Sequence, residues 1–283
     1  MTNKKQFVVF ITGCSTGIGR ALAEEFIELG HRVVATARKP EAIGDLQSEG
    51  ATVLSLDVTN GESISNAVAE AERIEGRIDI LINNAGFGLM GPLAELKIED
   101  LRRQYETNVV GPISLVKAVI PGMIARGEGR IANIGSVSGI LATPFAGAYC
   151  SSKFAIGALS DVLRVELAPF GIHVTLVQPG AIESKFGETA LKTTESVLSE
   201  GSIYAPVNDK IAERAMEGQQ GAMPAKAFAR RVAAALTKSA PPPIVRAGKN
   251  STMMPIMKRV LPQSAIDSIL TKRFGLGALR RGK

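Results

Sequence analysis

Tyr149 and Lys153 stand four residues apart in YCSSK, so on a helix the phenol and the amine share a face. A phenol beside an ammonium is a candidate proton donor. The positive charge stabilises phenolate and draws the tyrosine down from its ordinary pKa of about 10. The spacing also occurs by chance, and a lone Tyr149 would be an ordinary packed aromatic. Its company decides. In TGCSTGIG (12–19), Gly13, Ser15, Thr16, Gly17, Ile18 and Gly19 make a turn directly after an apolar run and directly before a helical pattern. Strand, glycine-rich turn and helix N-terminus together form a pyrophosphate site, because glycines admit the ligand to the backbone and free N–H groups attract the anion. The spacing is G-x-x-x-G-x-G, not the common G-x-G-x-x-G. The strand–turn–helix context weighs against a plain glycine turn.

The end of the second apolar run selects the nucleotide. An acid there would hold a ribose 2′-hydroxyl, but this chain has Ala37 and then Arg38, with Lys39 beside it. A carboxylate would repel a 2′-phosphate, whereas a guanidinium can bind it in bidentate fashion. NADP(H) is therefore expected over NAD(H), against the plainer reading of Arg38 as a solvated loop charge.

These residues need a frame. Apolar, β-branched runs at 7–12, 31–37, 51–58, 78–86, 130–136, 172–180 and 241–248 predict strands. Helical spacing covers 19–30, 63–76, 99–125, 151–171 and 224–239. The alternation predicts an α/β fold: a Rossmann-like, doubly wound parallel sheet with helices on both faces, in a single domain. Residues 1–250 are read as the dinucleotide-binding catalytic domain and 251–283 as a basic C-terminal extension. The polar, mixed segment 181–225, with short helical pieces at best, is expected to cover the substrate.

Composition narrows the rest. The chain has 283 residues, 45% hydrophobic and 21% charged, which reads as soluble and globular. No apolar run reaches the roughly 18 residues of a membrane span, and the apolar N-terminal run is too short for a signal peptide. The two cysteines, Cys14 and Cys150, suggest neither a disulfide framework nor a metal site, so a reducing, cytoplasmic setting is expected. The net charge of +6 is uneven: residues 241–283 hold nine Lys/Arg and one acid, while the remainder holds 24 bases and 26 acids. The basic character describes a tail, and no nucleic-acid-binding body is expected.

The ordered set TGCSTGIG, DVT (57–59), NNAG (83–86), Asn108 in TNVVG, GSVSG (135–139), YCSSK and QPG (178–180) resembles the short-chain dehydrogenase/reductase family, over nearly all of residues 6–250. The look of the chain is similar to the steroid, retinol and acyl-dihydroxyacetone-phosphate reductase branches. The resemblance implies a catalytic set of Asn108, Ser136, Tyr149 and Lys153. Ser136 is taken over Ser138 because it lies thirteen residues before the tyrosine, as in the family. It further implies that Asp57 and Val58 line the adenine and that Asn84, Ala85 and Gly86 border the cofactor. Pro179 and Gly180 belong to the same wall, and Ile182 and Ser184 meet the nicotinamide carboxamide. Tyr149 and Lys153 touch the cofactor as well, and Asn108 anchors a water near Lys153. Family members often carry Thr where Ser184 stands.

The expected activity is NADP(H)-dependent reduction of a ketone or aldehyde to an alcohol, with Tyr149 as general acid/base and Ser136 on the carbonyl oxygen. Phe87, Leu89, Met90, Phe145, Phe186, Leu191, Val197, Leu198, Ile203, Tyr204 and Met216 could wall an apolar pocket for a lipophilic carbonyl or alcohol. Two other readings stay open: an NAD(P)H-sensing regulator without catalysis, and an NAD-dependent alcohol dehydrogenase. His31 and His173 begin strands without a visible partner and read as structural. Cys14, in the phosphate turn, is expected to make the protein sensitive to thiol reagents. The resemblance suggests a homodimer or homotetramer. The basic tail suggests weak membrane-surface contact, against a solvated, partly docked extension as the simpler expectation.

Overall fold

Seven strands, β1 (Val8–Ile11), β2 (Arg32–Ala37), β3 (Thr52–Ser55), β4 (Ile80–Asn83), β5 (Gly129–Ile134), β6 (Ile172–Pro179) and β7 (Ile244–Ala247), pair in parallel in the order β3-β2-β1-β4-β5-β6-β7. This is a computed structural model, and it describes residues 5–195 and 201–279. Val197, Leu198, Arg280, Arg281 and Lys283 lie outside the described residues. All four residues of β1 are buried, as a central parallel strand requires. The strand order reverses direction between β1 and β4, and a crevice opens there beyond the C-terminal strand ends.

Helices α1 (Gly17–Glu28), α2 (Gly44–Ser48), α3 (Gly61–Glu75), α4 (Ile98–Tyr105), α5 (Gly111–Arg126) and α6 (Gly147–Leu167) connect the first six strands. Helices α7 (Phe186–Glu195), α8 (Asn208–Met216) and α9 (Ala225–Leu236) lie between β6 and β7, and α10 (Met253–Val260) and α11 (Gln263–Arg273) follow β7. Alternate strand residues feed two cores. Val9 and Ile11 join Phe26 of α1 with Phe228 and Val232 of α9; Val8 and Phe10 join Val68 of α3 with Val116, Val119 and Met123 of α5. The period of two along the strand thus sends successive apolar side chains to opposite helical layers. Helix α3 shows how its limits are written locally. Asn60 Oδ1 accepts the Ser63 N–H at the start, and Gly76, at φ 78°, takes the left-handed position that ends it.

Helix α4 runs into α5 through a π-turn at Glu106–Val110. The continuous helix Ile98–Arg126 is long and apolar enough to cross a membrane by length and mean composition, although no unbroken apolar run in it reaches that length. Leu115, Val116, Val119 and Met123 instead bury its apolar face in the core.

Two segments are more ordered than their composition suggests. The stretch expected to be mostly loop after Gly180 carries α7 and α8. The C-terminal extension folds into α10 and α11 and docks: Phe274 is buried against Phe145 with ring centroids 5.9 Å apart, and Tyr204 meets Phe145 at 6.0 Å. Phe145 holds φ at 63°, uncommon for a non-glycine residue, just before α6.

Candidate active site

The glycine turn joins β1 to α1, and its glycines are dictated by contact. Gly13 and Gly17 have φ of 73° and 61°. A Cβ on Gly19 would stand 2.3 Å from the Gly13 carbonyl oxygen and 2.4 Å from Asn84 Nδ2. The chain after β4 holds this turn. Asn84 Nδ2 donates to the carbonyls of Thr12 at 2.8 Å and Gly13 at 3.1 Å, while Thr12 Oγ1 accepts the N–H groups of Asn84 and Ala85, each at 2.9 Å. Thr12 was not singled out in the sequence, where a threonine ending a strand carries no signal.

From this turn a cavity of about 630 Å³ extends along the C-terminal edge of the sheet. Gly13, Ser15, Thr16, Gly17, Ile18, Arg38, Asp57, Val58, Asn84, Ala85 and Gly86 line it, and so do Ser136, Tyr149, Lys153, Pro179, Gly180, Ile182 and Ser184. Gly19 packs beneath the turn. Arg38 is exposed after β2 and Asp57 follows β3. Thr59 donates its backbone N–H and hydroxyl to Asp57, and with Arg38 nearby these hold the carboxyl below its usual range. A glycine cradle with free backbone groups at a helix N-terminus, and a guanidinium where β2 ends, fits a phosphorylated dinucleotide.

Across the edge, Ser136 follows β5 and Tyr149 sits in the first turn of α6. Ser136 Oγ accepts the Ser138 N–H at 3.0 Å, and Ser136 stands near enough to Tyr149 to pull the phenol's pKa down. Lys153 Nζ donates to the Ile134 carbonyl at 2.7 Å and stands 5.8 Å from the centroid of the Tyr149 ring. Burial pushes Tyr149 up to about 12, against the pull of Ser136 and of Arg214. Burial draws Lys153 down to about 8. The expected lowering of the phenol by Lys153 is therefore not what this arrangement produces: the ammonium is turned toward a carbonyl, and the opposing pull comes from Ser136 and Arg214.

Asn108 lies in the π-turn and away from the cavity wall. Its Oδ1 accepts the Phe87 N–H at 3.1 Å, and its Nδ2 donates to the Phe87 carbonyl at 3.0 Å and to Ser152 Oγ at 3.2 Å. The side chain thus clamps the loop after β4 to α6. The π-turn places it there, a device often found at functional positions.

On the substrate side, Phe87, Met90 and Phe186 line the cavity, and Phe186 packs on Tyr149 at 5.2 Å between centroids. Leu191 supports them from behind. Leu89, Phe145, Ile203, Tyr204 and Met216 do not line it: Leu89 is core, Phe145 and Tyr204 pack with the tail, Met216 packs beside Gly187, and Ile203 is 72% exposed. Sequence reasoning missed Arg214. It enters from α8, lines the cavity, and its Nε donates to Thr143 Oγ1 at 2.9 Å. A single arginine in a polar stretch gives no signal without the fold. Cys14 overturns the thiol expectation. It is fully buried, donates to the Ile11 carbonyl at 3.3 Å, and burial pushes it up to about 12, which leaves no reactive thiolate. His31 packs between Phe7 and Phe26 and accepts the Phe7 N–H at 3.2 Å.

A phosphate cradle at the switch point of a parallel sheet is the architecture of nicotinamide-dinucleotide oxidoreductases. The chain belongs to the short-chain dehydrogenase family: the family's profile, described as short chain dehydrogenase, matches residues 7–195. Proteins of this kind have been solved with NADP+ and with NAD. Among relatives, the uncharacterized oxidoreductase YbbO of Escherichia coli strain K12 is 34% identical over 263 residues, 93% of each chain. The NADPH-dependent 1-acyldihydroxyacetone phosphate reductase of Schizosaccharomyces pombe is 40% identical over 208 residues, 72% of this chain and 70% of that protein. A short-chain dehydrogenase from Streptomyces avermitilis superposes with a TM-score of 0.81 at 32% identity, covering 98% of this chain and 100% of that one.

Proposed function

We propose that this chain is an NADP(H)-dependent reductase that converts a ketone or aldehyde on a lipophilic substrate to an alcohol, with Tyr149 as the proton donor. One observation carries the reading: Ser136, Tyr149 and Lys153 share a single cavity with the glycine cradle and Arg38. When bound, the reduced nicotinamide supplies the hydride. Tyr149, raised by burial, is a neutral phenol at neutral pH, the form an acid must have. Ser136 Oγ accepts from Ser138 and its hydroxyl faces Tyr149, so with a carbonyl oxygen seated between them it can donate to the charge growing there. Lys153, at about 8, sits near the working pH and can hold a ribose hydroxyl and restore the phenol's proton. The cofactor choice is supported by Arg38 and by the NADPH dependence in the name of the fission-yeast relative. The apolar wall of Phe87, Met90 and Phe186 supports a lipophilic substrate.

The test is absorbance-monitored oxidation of NADPH and of NADH across ketones and aldehydes of rising chain length. NADPH is expected to give the higher kcat/KM, and Tyr149→Phe to lose at least about a hundredfold in kcat. Full turnover by that variant, or a preference for NADH, would refute the corresponding part.

Two surface readings accompany this one. The exposed face of α6 carries Phe154, Val162 and Val165 at helical spacing, which supports pairing with a second copy of the chain. Helix α10 exposes Met253, Ile256 and Val260 beside Lys258 and Arg259, which supports contact with an anionic membrane surface.

A further inference from the structure

The substrate side of the cavity is walled by Phe87, Met90 and Phe186, yet a guanidinium lines it too. The Arg214 side chain is 10% exposed. Its Nε donates to Thr143 Oγ1 at 2.9 Å and its Nη2 stands 3.5 Å from Ser138 Oγ; Nη1 has no hydrogen bond among the described residues. The Ser138 N–H in turn is bound to Ser136 Oγ at 3.0 Å. Arg214 is thus tied to the strand end that presents the candidate catalytic serine, and its charge is felt at the Tyr149 hydroxyl.

Its counterion is shared. Glu217 Oε2 lies 3.5 Å from Arg214 Nε, but Glu217 also holds Arg273 of α11, so two guanidinium groups divide one carboxylate. The cluster keeps a net positive charge beside an apolar chamber. A desolvated cation with a divided counterion has binding capacity left over, and a guanidinium's planar fork matches carboxylate and phosphate oxygens.

We propose that Arg214 is a specificity-determining residue that receives an anionic group, carboxylate or phosphate, carried close to the carbonyl to be reduced on a substrate whose remainder is apolar. This rests on the carbonyl-reductase reading of the same cavity. It makes the preferred substrate an amphiphilic keto anion, not a neutral ketone.

Two measurements test it. In the first, calorimetry on NADP+-saturated protein compares octyl phosphate and octanoate with octanol in the wild type, Arg214→Gln and Arg214→Lys. At least one anion is expected to bind about tenfold or more tighter than the alcohol. The Gln variant removes that preference and Lys restores part of it. The tighter anion identifies the headgroup. In the second, kcat/KM with NADPH compares a long-chain β-keto acid with its methyl ester, and a long-chain acyloxy ketone phosphate with its dephosphorylated alcohol. The anionic member of one pair is expected to lead, and the lead to vanish in Arg214→Gln. Equal binding of all three amphiphiles by the wild type, or an anion preference that survives in the Gln variant, overturns the assignment. Arg214-dependent anion binding without turnover of any carbonyl supports the assignment and counts against the reductase reading alone.

Discussion

Lys153 and Tyr149 carry opposite linkage between pH and stability. Below about pH 8 both folded and unfolded chains hold the Lys153 proton, and burying that charge costs stability in full. Between about 8 and the ordinary 10.5, the unfolded chain binds a proton that the folded chain has released, so stability rises with pH. Tyr149 acts higher and in reverse. Between 10.0 and about 12 the folded chain keeps a proton that the unfolded chain loses, so stability falls as pH rises. Lys153→Met should therefore be inactive yet more stable near neutral pH, by about 3 kcal/mol, with the gain shrinking as pH approaches 10.5. Denaturant titrations near neutrality and near pH 10 check this; a variant less stable than wild type at neutral pH contradicts it. At this scale the sequence was most legible. The family resemblance named Ser136, Tyr149 and Lys153, and all three line one cavity with the glycine turn. It could not show that Lys153 faces the Ile134 carbonyl, because that depends on how closely β5 packs against α6, nor that Cys14 is sealed beneath the turn.

The strands of the sheet could be read because β-branched runs buried on both faces look alike wherever they occur; six of the seven fall within the runs that predicted them, and β5 begins one residue earlier, at Gly129. Helices α7 and α8 were harder to see. Their polar faces look to solvent, and the apolar side chains they bury, Ala190, Ile211 and Ala215, are few and scattered. Arg214 stayed hidden for the same reason, since only the packing of α8 over the β5 end makes it a cavity residue. Helix α6 carries a prediction at this scale. Val165 is 65% exposed and Phe154 41%, on a face that no described residue covers. If that stripe pairs with a second copy, light scattering should give a dimer or larger mass for wild type, and Val165→Asp should shift it toward the monomer. A wild-type protein of monomer mass ends the idea.

For the molecule as a whole, the tail that looked like a basic appendage is part of the packed structure. Pro255, Pro262 and the glycines after Phe274 made it read as irregular, yet a proline in the first turn of α10 and another at the start of α11 are positions that helices accept. Because Phe274 is buried against Phe145, deleting the tail would disturb the chamber as well as the surface, so point changes are the better probe. Ile256→Glu with Val260→Glu should reduce co-sedimentation with anionic vesicles severalfold and leave neutral vesicles, weakly bound by either form, unaffected. Equal sedimentation of both proteins with anionic vesicles removes the membrane proposal.

The family's profile ends at residue 195, whereas Arg214, Gln219, Lys249 and Met254 all line the cavity. Hydride and proton handling is therefore encoded in one stretch of the chain, and much of the chamber's shape in another. Lineages that keep the first stretch untouched can still drift apart in what they accept, and kinship measured over it is a poor guide to diet.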